Sequence, residues 1–167
     1  MRKLSTIKEN VFVFIDTNIF LYDFTGVSKE CREFLKLIES GYLRGITSFN
    51  VLQELDHKLI REELHQKYGQ DISKTKEKKL LKNKQSIQNL TMYKNAVDVV
   101  LNLGIPALSC STNDFKRALK YQSEYGLLSV DAINLALIKE FEIENIATND
   151  KDFEKIPWLN VFMPGDI

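Results

Sequence analysis

Residues Val11 to Phe24, with the sequence VFVFIDTNIFLYDF, change abruptly from an apolar run to polar residues. The first five residues are typical of a buried strand, and the segment behind them is typical of a helix. Asp16 stands at the junction, although aspartate is disfavoured in strands and is rarely buried without a partner. Asp16 could cap the following helix, or it could form one wall of an acidic pocket. The rest of the chain has to distinguish these two interpretations.

The composition is that of a globular protein with its own core. The chain has 167 residues, of which 44% are hydrophobic, and we expect one domain over residues 1–167. No apolar run reaches the roughly 18 residues that cross a bilayer, and MRKLSTIKEN lacks the apolar segment of a secretory signal. Cys31 and Cys110 do not have metal-ligand spacing, which favours a reducing compartment. We therefore expect a cytoplasmic protein without a membrane partner.

The charges are balanced overall but unevenly distributed. Lys and Arg total 23, as do Asp and Glu, so the formal net charge is zero. This argues against a protein that coats nucleic acid through bulk charge. Lysines nevertheless crowd one central segment, which contains the candidate nucleic-acid-binding residues Lys74, Lys76, Lys78 and Lys79. The alternative is that these lysines only face water.

Strand-like and helix-like segments alternate along the chain. Short strands are predicted within VFVFI, YLRGITSF, GIPALS, NIATND and WLNVFMP, with amphipathic helices between most of them. Such alternation predicts an α/β fold in which helices cover a parallel sheet. Two long helices are predicted to form a helical hairpin over about residues 50–103, the second running from about Ser73 to Leu103. Ser129 is the predicted N-cap of the helix SVDAINLALIKEFEI.

Four carboxylates occupy corresponding places in this pattern. Asp16 and Asp150 follow predicted strands, while Glu54 and Asp131 lie early in helices. Each has an ordinary explanation, as a cap, a solvated helix residue or a partner of the helix dipole. In parallel α/β sheets, however, ligands bind beyond the carboxyl ends of the strands. All four side chains can converge there, and chance convergence of four is less probable than any single explanation.

A cluster of carboxylates favours a hard divalent cation. Clustered carboxylates repel one another and would partly protonate in a dry pocket. Mg²⁺ prefers oxygen ligands, whereas zinc and copper sites use Cys or His, which do not accompany these acids. Such a site suits phosphodiester hydrolysis, because a bound ion activates water and stabilises the leaving oxygen. Nearby polar residues would position carboxylates and waters, or only make local turn bonds: Thr17, Asn18, Thr148 and Asn149.

Four segments together resemble the PIN-domain ribonucleases, a family that includes the VapC-type toxins. They are VFIDTNIFL, TSFNVLQEL, LLSVDAINLALIKE and NIATNDKDF, and they occur in the family's order with family-like distances. The resemblance extends from Val11 to about Met163. DTN alone would be a weak signal, but four segments in order are specific.

The resemblance implies a three-layer α/β/α fold and RNA cleavage that depends on Mg²⁺ or Mn²⁺. It places the metal-binding, catalytic acids at Asp16, Glu54, Asp131 and Asp150. Asn18 and Thr148 match supporting polar positions, and Asp152 is an optional further acid. The resemblance also implies that the chain can form a homodimer and, if it is the toxin of a toxin–antitoxin pair, that it binds a small antitoxin. The region Gln53–Leu103 is longer than in many compact members, and its lysines could clamp RNA.

Other classes of function account less well for the sequence. A catalytically inert PIN-like module that binds RNA or protein is the main alternative. Phosphatases of the haloacid-dehalogenase kind need a second aspartate two residues after the first, where this chain has Asn18. A phosphoacceptor signalling domain needs paired acids just upstream, and VFVF has none. A protein-interaction scaffold would leave the four acids unexplained.

Overall fold

The computed structural model describes residues 2–69 and 73–167. In that part of the chain, six strands form one sheet in the order β1-β6-β5-β2-β3-β4, and every neighbouring pair is parallel. The strands are β1 (Arg2–Lys3), β2 (Phe12–Ile15), β3 (Arg44–Ser48), β4 (Ala107–Leu108), β5 (Asn145–Ala147) and β6 (Asn160–Met163). The predicted parallel sheet is therefore confirmed.

Helices connect and cover these strands. They are α1 (Thr17–Thr25), α2 (Lys29–Glu39), α3 (Phe49–Tyr68), α4 (Lys74–Lys82), α5 (Lys84–Gln88), α6 (Met92–Asn102), α7 (Thr112–Tyr125) and α8 (Ser129–Glu140). Short 3-10 turns occupy Leu4–Thr6 and Lys151–Lys155. Helix α1 packs on α2 and α3, α3 packs on α6, and α7 pairs with α8. The sheet and the helices that flank it form the predicted three-layer α/β/α architecture.

The core explains why the central strands are apolar without interruption. Val13, Phe14 and Ile15 of β2 are fully buried, as expected for a parallel strand covered on both faces. Helix α8 is also central, since every residue from Ala132 to Ile138 is buried. Within the described ranges, none of the helices is both long and apolar enough to cross a membrane.

The structure differs from the sequence prediction at two places, the start of the chain and the start of α8. Strand β1 was not predicted, because a two-residue strand pairing with Phe162 and Met163 leaves no periodic signal. The predicted N-cap Ser129 is wrong. Leu128 is the N-cap, and its carbonyl accepts the N–H of Ala132 at 2.9 Å, so Ser129 already lies inside the helix.

The predicted second long helix from Ser73 to Leu103 is also wrong, because three short helices occupy that range. Asn83 separates α4 from α5, and its side chain accepts the N–H groups of Gln85 and Ser86. Asparagine favours such caps over helix interiors, because its side chain competes for backbone groups. The hairpin exists in outline, with α3 against α6, while residues 70–72 of it lie outside the described residues.

The start of α6 is capped by a side chain from a different helix. Thr91, the N-cap residue, makes no side-chain capping bond. Instead the N–H groups of Thr91 and Tyr93 donate to the buried carboxylate of Glu63 on α3, at 2.7 and 3.0 Å. Burial alone would raise the pKa of Glu63, but these bonds outweigh it and hold the pKa below its usual value. Glu63 therefore fixes the two arms of the hairpin to each other.

We expect Glu63→Gln to lower the free energy of unfolding by about 2 kcal/mol at pH 7, since it removes charge-assisted hydrogen bonds from a buried site. Because the folded-state pKa of Glu63 is lowered, this contribution is lost as the pH falls through that pKa. Urea unfolding at pH 7 and pH 4 measures both effects. Glu62→Gln, one residue away, is the matched control. Equal destabilisation by the two variants would contradict the capping role.

Candidate nucleic-acid-processing site

The two central strands β2 and β5 bring Asp16 and Thr148 side by side. Ile15 pairs with Ala147 in the register of these strands, so the next residue of each strand emerges at the same edge. Thr148 Oγ1 donates to Asp16 Oδ2 at 2.5 Å, and both side chains are buried. After β2 the chain forms β3 and β4 on one side of that strand, and it later forms β5 on the other side. The ends of β2 and β5 therefore flank the crevice in which such sheets bind ligands.

Asp16 is also the N-cap of α1, so the two interpretations of this residue are compatible. Its Oδ1 accepts the N–H of Thr17 at 2.7 Å, and its Oδ2 accepts Asn18 Nδ2 at 2.7 Å. Burial raises the pKa of Asp16, the bonds from Thr148 and Thr17 oppose that increase, and the negative charge of Glu54 adds to it. Three donors therefore hold the Asp16 carboxylate in one orientation, while its burial and the negative charge of Glu54 disfavour its ionised form.

Asn18 connects the two strand ends through its side chain. Its Oδ1 accepts the N–H of Asn149 at 2.9 Å, while its Nδ2 reaches Thr148 Oγ1 at 3.3 Å as well as Asp16. Thr148 Oγ1 also accepts the N–H of Asp150 at 3.0 Å. Asp150 in turn caps the 3-10 turn that follows it, because its Oδ1 accepts the N–H of Asp152 at 2.8 Å. The β5 loop is thus bonded to α1.

Glu54 reaches the same edge from α3. Ser48 caps this helix, and its packing on α1 places Glu54 Oε2 2.9 Å from Thr17 Oγ1, which donates to it. Glu54 Oε1 forms an ion pair with Lys58 Nζ at 2.8 Å, one turn further along. Glu54 is therefore oriented by one neutral donor and neutralised by one lysine.

Asp131 completes the set from the first turn of α8. Its carboxylate forms no hydrogen bond or ion pair with any residue that the structure describes. Burial raises the pKa of Asp131 to about 7, and the negative charges of Asp16, Asp150, Glu54 and Asp152 add to the increase. Four carboxylates thus act on Asp131 at the carboxyl edge of the sheet, and we call these five acids the acidic edge.

The acidic edge fits a divalent cation in its chemistry but is not a preformed cage. Its donors are carboxylate, hydroxyl and amide oxygens, which Mg²⁺ and Mn²⁺ prefer, and their mutual repulsion is what a cation relieves. Among residues 2–69 and 73–167, however, no three Asp, Glu, His or Cys side chains stand close enough together to hold a metal ion. The ammonium of Lys58 neutralises Glu54 instead. A cation that binds Glu54 would therefore compete with Lys58 for this carboxylate.

The candidate nucleic-acid-binding lysines lie apart from the acids, on α4. Lys74, Lys76, Lys78 and Lys79 are all exposed. Between them, Glu77 is buried against α3, where Arg61 Nε donates to its Oε1 at 2.6 Å. This contact, in which only the Glu77 side is buried, holds the lysine-bearing helix against α3, about two turns beyond Glu54.

Sequence reasoning missed two residues next to the acidic edge, Lys58 and Tyr22. The spacing of Glu54 and Lys58, four positions apart on a helix, is a known signal for an ion pair. Tyr22 Oη accepts Asn149 Nδ2 at 3.3 Å and lies one turn after Asn18 on α1. No local pattern indicates that contact, because it joins residues 127 positions apart.

The fold and the acidic edge define a class of parallel α/β proteins with acids at the carboxyl ends of the central strands. The family model described as PIN domain matches residues 13–159. The chain belongs to the PIN-domain family.

Individual relatives are more distant. Ribonuclease VapC6 of Methanocaldococcus jannaschii is 27% identical over 161 residues, covering 89% of this chain and 95% of that protein. VapBC2 of Rickettsia felis, solved bound to a DNA fragment from their promoter, matches with a TM-score of 0.61 and 16% identity, covering 92% of this chain and 98% of the other. A toxin–antitoxin complex from Klebsiella pneumoniae matches with a TM-score of 0.56 and 22% identity, covering 93% of this chain and 99% of the other. At these identities, the two structures establish the fold only.

Proposed function

We propose that the protein is a metal-dependent endoribonuclease, which hydrolyses RNA phosphodiester bonds, and that it acts as the toxin of a toxin–antitoxin pair. The observation that carries the proposal is that Asp16 after β2, Glu54 on α3 and Asp150 after β5 all act electrostatically on Asp131 of α8 at the acidic edge. Membership of the PIN-domain family and the name of the ribonuclease relative from Methanocaldococcus jannaschii support it.

The proposal assigns roles to the acids of the acidic edge and to the polar residues beside them. Asp16, Glu54, Asp131 and Asp150 are the catalytic and metal-binding acids, and Asp152 lies beside them. When bound, Mg²⁺ or Mn²⁺ supplies an activated water and stabilises the leaving oxygen. Asn18 and Thr148 are positioning residues, because their hydrogen bonds fix Asp16 and the β5 loop.

The direct test is a cleavage assay on end-labelled single-stranded and structured RNAs. The same protein is incubated with Mg²⁺, with Mn²⁺ and with EDTA. We expect internal cleavage with a metal ion and none with EDTA. RNA that stays intact under every metal condition, with the protein folded, would favour the second candidate function.

That second candidate is an inert PIN-like module that binds RNA or protein without cutting. The observation that favours it is the ion pair between Glu54 and Lys58, together with the lack of a preformed group of three metal ligands in the described residues. An inert module gains nothing from the repulsion around Asp131, whereas a nuclease uses it to bind a cation. We therefore place the nuclease first.

The lysines of α4 are proposed to contact RNA phosphates. We expect Lys78→Glu with Lys79→Glu to weaken RNA binding, and to lower the slope of log affinity against log salt by about 1.4 if both lysines contact single-stranded RNA. Fluorescence anisotropy in EDTA between 50 and 200 mM salt measures this. The control is Lys8→Glu with Arg44→Glu, an equal charge change on the exposed amino side of the sheet. Unchanged slopes would mean that these lysines only face water.

Partners follow from the same proposal. The toxin–antitoxin complex of the Klebsiella pneumoniae relative supports an antitoxin partner for this chain, and family resemblance supports a homodimer. A cytoplasmic location is part of the same proposal, because the proposed activity needs access to cellular RNA. Size-exclusion chromatography with light scattering, alone and after co-expression with the neighbouring reading frames, tests both partners.

A further inference from the structure

An open groove between α1 and α3 adjoins the acidic edge. It has a volume of about 570 Å³, and its lining comprises Leu21, Tyr22, Thr25, Val27, Lys58, Arg61, Glu62 and His65. One of these residues contacts an acid of the acidic edge, and a second contacts the residue next to another of its acids. Lys58 forms the ion pair with Glu54, and Tyr22 Oη accepts a hydrogen bond from Asn149, next to Asp150. The groove therefore lies directly beside the acidic edge.

The two walls of the groove differ in chemistry. Helix α3 contributes Lys58, Arg61 and His65, which recur at intervals of three and four and so share one helix face. The opposite wall contributes apolar and aromatic surface from Leu21, Tyr22 and Val27. A wall that carries the cations Lys58 and Arg61 and faces an apolar wall matches a nucleotide, which has an anionic phosphate on one side and an uncharged base and ribose on the other.

Arg61 is held in place for such a ligand. Its Nε donates to the buried Glu77 at 2.6 Å, and His65 Nε2 stands 3.7 Å from the same oxygen. A guanidinium has five N–H donors, so the contact with Glu77 leaves its terminal amino groups available. The Arg61 side chain is 50% exposed, on the groove side of α3. Glu62 also lines the groove, which disfavours a second phosphate at its position.

We propose that this groove binds the RNA nucleotide next to the scissile phosphate. Its backbone phosphate is held by Lys58 and Arg61, and its uncharged part packs against Leu21, Tyr22 and Val27. The assignment rests on the proposed nuclease function, because the acidic edge defines where the scissile phosphate lies. It makes the α1–α3 groove, and not only the lysines of α4, a determinant of RNA affinity.

The test measures binding of a fluorescein-labelled 12-nucleotide single-stranded RNA to the full chain in EDTA by anisotropy. We expect Arg61→Gln to weaken binding about tenfold, as for one lost charge-assisted hydrogen bond. The salt slope should fall by about 0.7, the value for one phosphate of a single strand. Arg44→Gln, on the first residue of β3, is the matched control and should leave both unchanged. Photocrosslinking of RNA carrying 4-thiouridine should label peptides from α1 and from residues 58–65.

A second variant guards against a folding defect, since Arg61→Gln also breaks the contact with Glu77. Val27 is 54% exposed and follows α1, so Val27→Glu adds a negative charge to the groove without disturbing the core, and it should also weaken binding. If both variants cleave RNA and keep the RNA affinity and salt slope of the unmodified protein, the groove does not bind RNA. The proposed nuclease function would then still hold. Neither binding nor cleavage of RNA by the unmodified protein would overturn both. Weaker binding of a protein partner alone would make the groove a protein-docking surface and the proposal wrong.

Discussion

Asp16→Asn should reduce metal-dependent RNA cleavage by on the order of 10²- to 10³-fold, the loss typical of removing one electrostatic group from a catalytic site. The substitution keeps the size of the side chain and removes its negative charge. Asparagine is also a good N-cap, so α1 should keep its start at Thr17. Activity and folding are therefore separable at this position.

Initial rates on an end-labelled RNA, with Mg²⁺ and with Mn²⁺, measure the effect on cleavage, and circular dichroism checks that the fold is kept. Asp98→Asn is the control, because Asp98 is exposed on α6, away from the acidic edge. If Asp16→Asn cleaved at the rate of the unmodified protein, the acidic edge would not be the catalytic site. If Asp98→Asn lost activity equally, the loss would not be specific to that edge.

Asp131→Asn should raise the melting temperature in EDTA, and the gain should depend on pH. The folded-state pKa of Asp131 is raised to about 7 from an ordinary value of 3.8. The folded protein therefore binds the proton more tightly than the unfolded chain. The contribution of this group to stability is fully present below about pH 4 and is lost as the pH rises through about 7. At pH 8 the charged carboxylate opposes folding, and asparagine removes that cost.

The full pKa shift of Asp131 would correspond to a change of about 4 kcal/mol in the free energy of unfolding. The partial exposure of Asp131 reduces this change to roughly 1–3 kcal/mol. For a chain of this length we expect a gain of about 3–9 °C at pH 8, which disappears near pH 4. Differential scanning fluorimetry over this pH range, with Asp98→Asn as the control, gives the answer. A lower melting temperature at pH 8, or a gain that does not change with pH, would contradict the mutual repulsion at the acidic edge.

Metal ions provide a related comparison on the same two proteins. A divalent cation should stabilise the unmodified protein by binding the folded state only. It should stabilise Asp131→Asn less, because one proposed carboxylate ligand and part of the repulsion are gone. This readout does not depend on RNA, so it separates metal binding from cleavage.

Local sequence chemistry determined the order of strands and helices with few exceptions. The apolar run before Asp16 forms strand β2, and Asp16 is the N-cap of the helix that follows it, as their patterns indicate. Some errors were local, such as Leu128 in place of Ser129 as the N-cap of α8, and others occurred where the controlling group lies elsewhere in the chain. The break before α6 depends on Glu63, which is 28 positions from Thr91. Strand β1 forms only because β6, at the other end of the chain, offers an edge.

The sequence by itself determined which acids stand at the ends of strands and the starts of helices, because residue type and periodicity are local properties. The family resemblance then identified those acids as one set. Only the tertiary structure decided that the charges of Asp16, Asp150, Glu54 and Asp152 act on Asp131, and that Lys58 neutralises Glu54. Electrostatic coupling depends on distance and burial in three dimensions. The groove beside Arg61 has the same origin, because its two walls are formed by residues more than thirty positions apart in the sequence.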